Sequence, residues 1–334
     1  MTDRLTRRAA LGLLAAAASS GPVHGVALLE EAVTRARAFD RMHALLVNID
    51  GAAVVRERFV GAPLDQPVNI KSISKTVLAA LTGAAIDQGL LADVDQSVAP
   101  LLRHAFPPDP DPRLERLTVD HLLTMRAGLE RTSGANSGAW VTSRNWVADA
   151  LARPFVAEPG DRMLYSTGSY HLLSAVLTRA AGRSTLALAR DLLGEPLGID
   201  IPAWTRDPQG IYLGGNDMAL APEALVRFGE MHRRGGVLDG RRVLSAAWIE
   251  AAWTARTVSP WSGDAYGYGW FVREIAGHRT FYGRGYGGQM LYVVPSVRLT
   301  AVVISDPTRP AHSAGYVGDL HRLLGETLIP AATA

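Results

Sequence analysis

The chain has 334 residues, 48% of them apolar and 20% charged, and a formal net charge of +2. That is enough chain and enough apolar surface for one large domain or two interleaved ones with an ample core. The basic residues form no run, which gives no case for nucleic-acid binding, and the lack of any cysteine excludes disulfides, thiol catalysis and Cys-ligated metal.

In chain order, the first signal is Thr6-Arg7-Arg8 followed by Ala9–Leu14 and four alanines. A paired Arg before a short apolar run is similar to a twin-arginine export signal. Small residues from Ala15 to Gly21 offer a cleavage site, so residues 1–24 read as a signal and the mature protein as periplasmic or secreted. The run is shorter than the ~20 residues that a bilayer span needs, so no stable membrane anchor is expected. A helical pattern follows near Val26–Phe39. Ala44–Asp50 and Ala52–Phe59 read as two strands of a hairpin, with Asn48-Ile49-Asp50-Gly51 as the turn. A helix from about Ser72 to Gln88 stops at Gly89. The Pro-rich stretch Phe106–Pro112 is a surface loop. A capped helix begins near Leu117 and ends near Gly128, and helical patterns recur at Trp146–Leu151, Tyr170–Ala181 and Leu186–Leu193. Strands return at Tyr268–Glu274, His278–Tyr282, Gln289–Val294 and Leu299–Ser305, with Gly283–Gly288 as a glycine-rich bend. A last helix covers about Ala314–Leu328. Strands at both ends with helices between them predict an α+β fold. Its antiparallel sheet is built from both chain ends and flanked by helices, within one domain over 25–330, and about 90–260 form a mostly helical inserted region.

The chemistry concentrates at Lys71-Ser72-Ile73-Ser74-Lys75. Of the 34 residues that are Lys or Arg, only Lys71 and Lys75 are lysine. Arg cannot release its proton in a protein, whereas burial lowers the pKa of a lysine far enough to make it a base. Lys75 lies three residues after Ser72, on the same helix face, and helical side chains lean toward the N-terminus. The helix start also offers free N–H groups where an oxyanion forms. Ser72 is therefore a candidate nucleophile with Lys75 as its base; the alternative is an ordinary N-cap serine. Lys71 reads as a solvated surface amine.

Three further stretches align with this pair: Leu117–Leu129 (LTVDHLLTMRAGL), Glu158–Leu177 (EPGDRMLYSTGSYHLLSAVL) and Tyr282–Gln289 (YGRGYGGQ). Taken in that order with S-x-x-K, the set resembles the serine hydrolases related to class C β-lactamases. That superfamily also holds penicillin-binding-type peptidases, family VIII-type esterases and 6-aminohexanoate-dimer hydrolases. Asn216–Met231, Tyr266–Trp270 and Leu197–Ile199 are similar to the family as well, so the likeness runs over roughly residues 40–330. The resemblance implies a β-lactamase/transpeptidase-like fold, Ser72 as the acylated nucleophile, Lys75 as the acceptor of its proton and Tyr165 as the relay to the leaving group. It implies an oxyanion site built from the backbone N–H of Ser72 and of Tyr286, or of Gln289 in the other register. Two motifs depart from the family. Tyr165-Ser166-Thr167 stands where Tyr-x-Asn is usual, so Thr167 occupies the substrate-binding amide position. Tyr286-Gly287-Gly288 stands where Lys-Thr-Gly or His-x-Gly is usual. Arg284 beside Gly285 is a candidate for a substrate carboxylate or, alternatively, a solvated surface Arg. The expected activity is hydrolysis of a small ester, amide or peptide through an acyl-enzyme, with no cofactor and no metal. The alternatives are a β-lactamase or D-alanyl carboxypeptidase, and a peptide or cell-wall sensor that acylates without turning over. The sequence fixes no oligomeric state.

Two other motifs fail on context. Gly283-x-Gly285-x-x-Gly288 matches a dinucleotide fingerprint but leads into an apolar strand where a helix is required. Ala311-His312-Ser313-Ala314-Gly315 lacks the first glycine of a nucleophile elbow and has too little chain after it. The nine histidines show no paired metal-ligand spacing.

Overall fold

The computed structural model describes residues 21–312 and 315–334. The arginines and the alanine run of the expected export signal lie outside the described residues. No helix among the described residues is long and apolar enough to cross a membrane.

The framework is α1 (Gly21–Ala38), β1 (Met42–Ile49), β2 (Ala52–Arg58), α2 (Ile73–Asp87), α3 (Thr167–Ala181) and α4 (Pro222–Arg233). It continues with β3 (Thr257–Val258), β4 (Ala265–Tyr266), β5 (Phe271–Ile275), β6 (His278–Gly285), β7 (Gln289–Val294), β8 (Leu299–Ser305) and α5 (Tyr316–Leu323). One antiparallel sheet runs β2-β1-β8-β7-β6-β5-β4-β3, so strands from both chain ends meet at the β1–β8 pair. The predicted α+β architecture is the observed one.

The sequence explains the layers. Asp50 (φ 51°) and Gly51 (φ 85°) close the β1–β2 hairpin in the left-handed conformations of a two-residue turn. β7 and β8 are buried at every residue, because helices cover both faces of the sheet. Alternation assigns the faces: Tyr292 meets His321 of α5, whereas Leu291 and Val293 approach Gly229 of α4. α2 is mostly apolar and buried from Ile73 through Ala85, as a helix inside the core must be.

Three differences from the sequence reading have physical reasons. β6 extends through Gly285, and the turn is only Tyr286–Gly288. Gly283 and Gly285 serve close approach to α2 rather than a bend: a Cβ at Gly283 would lie 2.7 Å from Thr76 Oγ1, and one at Gly285 2.5 Å from the Ile70 carbonyl. The helix expected to reach Gly128 is Val119–Leu123, capped by Thr118, and Met125 at φ 55° breaks it. The strand expected from Tyr268 starts at Phe271. The Tyr268–Trp270 segment instead turns at Gly269 (φ 79°), whose carbonyl accepts a hydrogen bond from Thr76 at 2.7 Å.

Candidate active site

Ser72 immediately precedes α2, with φ −73° and ψ −1°, and its hydroxyl makes no capping hydrogen bond. The N-cap reading would have that oxygen bound to an N–H of the first turn. Instead the Lys75 amine donates to Ser72 Oγ at 3.2 Å. The same amine donates to Thr167 Oγ1 at 3.3 Å and to the Gly215 carbonyl at 2.7 Å. Lys75 is 2% exposed. Its three hydrogen-bond partners are neutral oxygens, and burial pushes its pKa down more than the neighbouring Tyr165 phenol pulls it up. A neutral amine here retains a lone pair for the Ser72 proton.

Tyr165 joins the pair from the loop before α3. Its ring centroid lies 4.8 Å from the Lys75 amine. Burial raises the phenol's pKa, but the Lys75 charge, the Ser72 hydroxyl and the Arg284 charge outweigh it, and the net direction is down. Trp261 meets the Tyr165 ring edge-on at 5.8 Å, and Arg131 covers Trp261 at 5.3 Å. The loop carrying Trp261 is closed by the Ser259 N–H donating to the Asp264 carbonyl at 2.8 Å, while the Asp264 carboxylate accepts from Tyr282 of β6.

Glycines let the backbone close on this cluster. A Cβ at Gly215 would lie 3.2 Å from the Lys75 amine, and one at Gly269 3.0 Å from the Lys75 carbonyl. The end of β6 packs against Ile70 and Lys71, which brings Tyr286 beside Ser72. Among the described residues, neither the Ser72 N–H nor the Tyr286 N–H has a hydrogen-bond acceptor. Gln289 instead pairs with Gly285 in the ladder, and its amide bridges the backbone of Ser305. Of the donors expected from sequence, those of Ser72 and Tyr286 are therefore free.

Ser72, Tyr165 and Tyr286 line two cavities at once. The smaller, about 380 Å³, also contains Trp261, Arg284 and Gly285. The larger, about 630 Å³, contains Thr167, Ser133, Lys71 and Asp217, with Trp140, Trp146, Val141 and Leu213 as an apolar wall. Arg284 is partly buried, lies 5.2 Å from the Phe271 ring, and its Nη1 is buried without a hydrogen-bond partner. Thr167 is engaged locally: its hydroxyl also accepts from Ser133 at 3.1 Å, and its N–H donates to Ser133 at 2.8 Å.

All the site residues expected from sequence thus converge on one cleft. Sequence reading missed Ser133, the Gly215 carbonyl and Trp261, and it placed Lys71 on the surface. Lys71 is half-buried and lines the larger cavity. Its signal was present in the lysine count; Ser133 and Gly215 sit in loops with no motif of their own.

A serine on a helix start, a buried lysine and a tyrosine thus meet at one cleft, on a fold with a large antiparallel sheet flanked by helices. A sequence profile of the Beta-lactamase family matches residues 35–326, and the chain belongs to that family. Solved structures share the fold. A putative 6-aminohexanoate-dimer hydrolase from Bacillus anthracis is 18% identical, over 89% of this chain and 82% of its own, with a TM-score of 0.71. A penicillin-binding protein homolog from Caulobacter crescentus is 20% identical over 92% and 97%, with a TM-score of 0.72. EstCE1, a hydrolase with promiscuous acyltransferase activity, is 18% identical over 94% and 98%, with a TM-score of 0.69.

Proposed function

We propose that the protein is an exported serine hydrolase that cleaves an ester or amide through an acyl-enzyme on Ser72. The observation that carries this reading is the buried, carboxylate-free Lys75 amine on the Ser72 hydroxyl. Lys75 in its neutral form takes the Ser72 proton as Oγ attacks the carbonyl carbon. The developing oxyanion is held by the N–H groups of Ser72 and Tyr286. Tyr165 passes the proton to the leaving group, which departs and leaves the acyl-enzyme. Water, deprotonated by the same pair, then releases the acid. Thr167 and Ser133 hold the lysine in place. The substrate straddles Ser72 with one part in each cavity, and Arg284 beside Gly285 binds a polar or carboxylate group in the smaller one.

Two fold relatives are named as hydrolases, which supports a hydrolase reading. Threonine in place of the usual amide at 167 and tyrosine in place of Lys or His at 286 count against β-lactams. Steady-state hydrolysis of p-nitrophenyl butyrate and of a chromogenic cephalosporin, run on wild type and Ser72→Ala, tests the reading. The expected result is turnover of the ester, abolished in Ser72→Ala, and little of the cephalosporin. A β-lactamase-like rate on the cephalosporin would replace the esterase reading, and ester turnover that survives Ser72→Ala would remove Ser72 from the chemistry. Export rests on Arg7-Arg8 and the apolar run after them. Cell fractionation should find the protein outside the cytoplasm and retained inside after Arg7→Lys/Arg8→Lys; an unchanged distribution would refute the signal.

A further inference from the structure

The other lysine of the chain has no role in this chemistry, yet it occupies an unusual place. Lys71 has φ 52°, a left-handed conformation that a residue with a long side chain seldom adopts and that favours Gly or Asn. The conformation is imposed by Asn69, whose Oδ1 accepts the Lys71 N–H at 2.8 Å while its Nδ2 donates to Asp217 at 3.2 Å. Such strain persists where the surroundings over-determine it, and it collects at functional sites. Here it carries the Lys71 stem past Gly285, where a Cβ would lie 2.9 Å from Lys71 Cβ, into the lining of the larger cavity.

Charge and packing specify what that cavity takes. Among the described residues no carboxylate pairs with the Lys71 amine. Asp217, the one acid lining the cavity, is bound by Asn69 and by Thr205 at 3.3 Å. Part of the lining is apolar: Trp140 and Trp146 pack against each other at 5.3 Å, and both pack against buried His171. A half-buried cation without a carboxylate partner, in one cavity with two indoles and a nucleophile, is complementary to an anion with an apolar body.

We propose that Lys71 is a specificity-determining residue, which binds a carboxylate on the part of the substrate that fills the larger cavity, with that part's apolar chain against Trp140 and Trp146. The substrate is then an ester or amide in which one partner of the scissile bond is an apolar carboxylic acid chain or the C-terminal end of an apolar peptide. This rests on the hydrolase reading for the position of the scissile bond, but the anion subsite is measurable without turnover.

The test is calorimetric binding of heptanoate and of 1-heptanol, chosen as a matched pair that differs in charge. Lys71→Asn removes the amine while suiting the left-handed backbone, so this variant is expected to fold. Wild type should bind heptanoate at least tenfold more tightly than heptanol. Lys71→Asn should lose that tenfold preference and Lys71→Arg should keep most of it, with Arg284→Gln measured alongside to report on the smaller cavity. Equal affinities in wild type, no heptanoate binding, or an undiminished preference in Lys71→Asn would each overturn the assignment. Loss of the preference in Arg284→Gln but not in Lys71→Asn would overturn it too, by moving the anion to the smaller cavity. Ester turnover assayed on the same preparation reports separately on the hydrolase mechanism.

Discussion

Two buried cations in this molecule are handled in opposite ways. Arg233, at the end of α4, is paired with Glu230 through two hydrogen bonds of 2.9 and 2.8 Å, and Arg234 adds a contact at 3.4 Å. Burial pushes the Glu230 carboxyl up, but the Arg233 hydrogen bonds and nearby charges outweigh it and leave its pKa lowered. That is how a fold accommodates charge it needs for structure. Lys75 is also deeply buried, and its amine has neutral hydrogen-bond partners and no carboxylate among the described residues. The fold does not compensate its charge; it makes the charge easy to lose. Lys71 and Arg284, both at the cleft, share the lack of a carboxylate partner among the described residues, while many arginines elsewhere are in ion pairs. At the cleft, three cations stand without a carboxylate partner; at the end of α4, the charge is paired.

The contrast is broken most severely at the site itself. Ser72→Ala should lower ester turnover by on the order of 10³-fold or more, with the circular dichroism spectrum unchanged. Lys75→Arg should approach that loss, because Arg retains the charge and cannot act as the base; a folded Lys75→Arg protein with near-normal turnover would end the role given to Lys75. Tyr165→Phe should cost on the order of 10²-fold in kcat, within the usual range for a lost proton relay. The pH profile sharpens the point. Both Lys75 and Tyr165 are shifted down, and the active form is the deprotonated one. Hence kcat/KM should rise with pH along a limb that lies below the ordinary Lys and Tyr values of about 10, and Tyr165→Phe should displace it.

At the scaffold pair the effect should appear in stability instead. Glu230→Gln strands Arg233 without its counter-charge and should lower the unfolding free energy by about 3 kcal/mol, measured by urea denaturation. Turnover per folded molecule should be kept, since neither side chain lines the cleft. Smallest is Gly89→Ala: nothing lies within 4 Å of an added Cβ, and only its φ of 71° opposes it, so a loss of about 1 kcal/mol is expected. By comparison, Gly283→Ala must push Thr76 and the start of α2 aside, and it should cost more than Gly89→Ala in both stability and rate.

Much of this was legible in the sequence, for reasons that differ by region. The sheet could be read because β1, β7 and β8 are mostly apolar runs bounded by turn residues, and Asp50-Gly51 marks the hairpin that adds β2. The Ser72–Lys75 contact could be read because a spacing of three on a helix fixes geometry. Tyr165 and Tyr286 came from motif likeness, since neither has a local pattern that demands the site. The β6 boundary was misplaced because glycine has two uses, and Gly283 and Gly285 serve packing rather than turning. Lys71 was misjudged because exposure of a loop lysine depends on tertiary context: only the Asn69 hydrogen bond and the Gly285 contact turn it inward.

The most direct test of the uncompensated lysine and its serine is covalent. Wild-type protein, Lys75→Arg and Ser72→Ala are treated with a fluorophosphonate probe, and the adduct is located by peptide mass spectrometry. The account predicts one adduct, on Ser72, formed rapidly in wild type, slowly in Lys75→Arg and not at all in Ser72→Ala. A folded wild-type protein that takes no adduct on Ser72, or an adduct on Ser72 formed equally fast in Lys75→Arg, would contradict it.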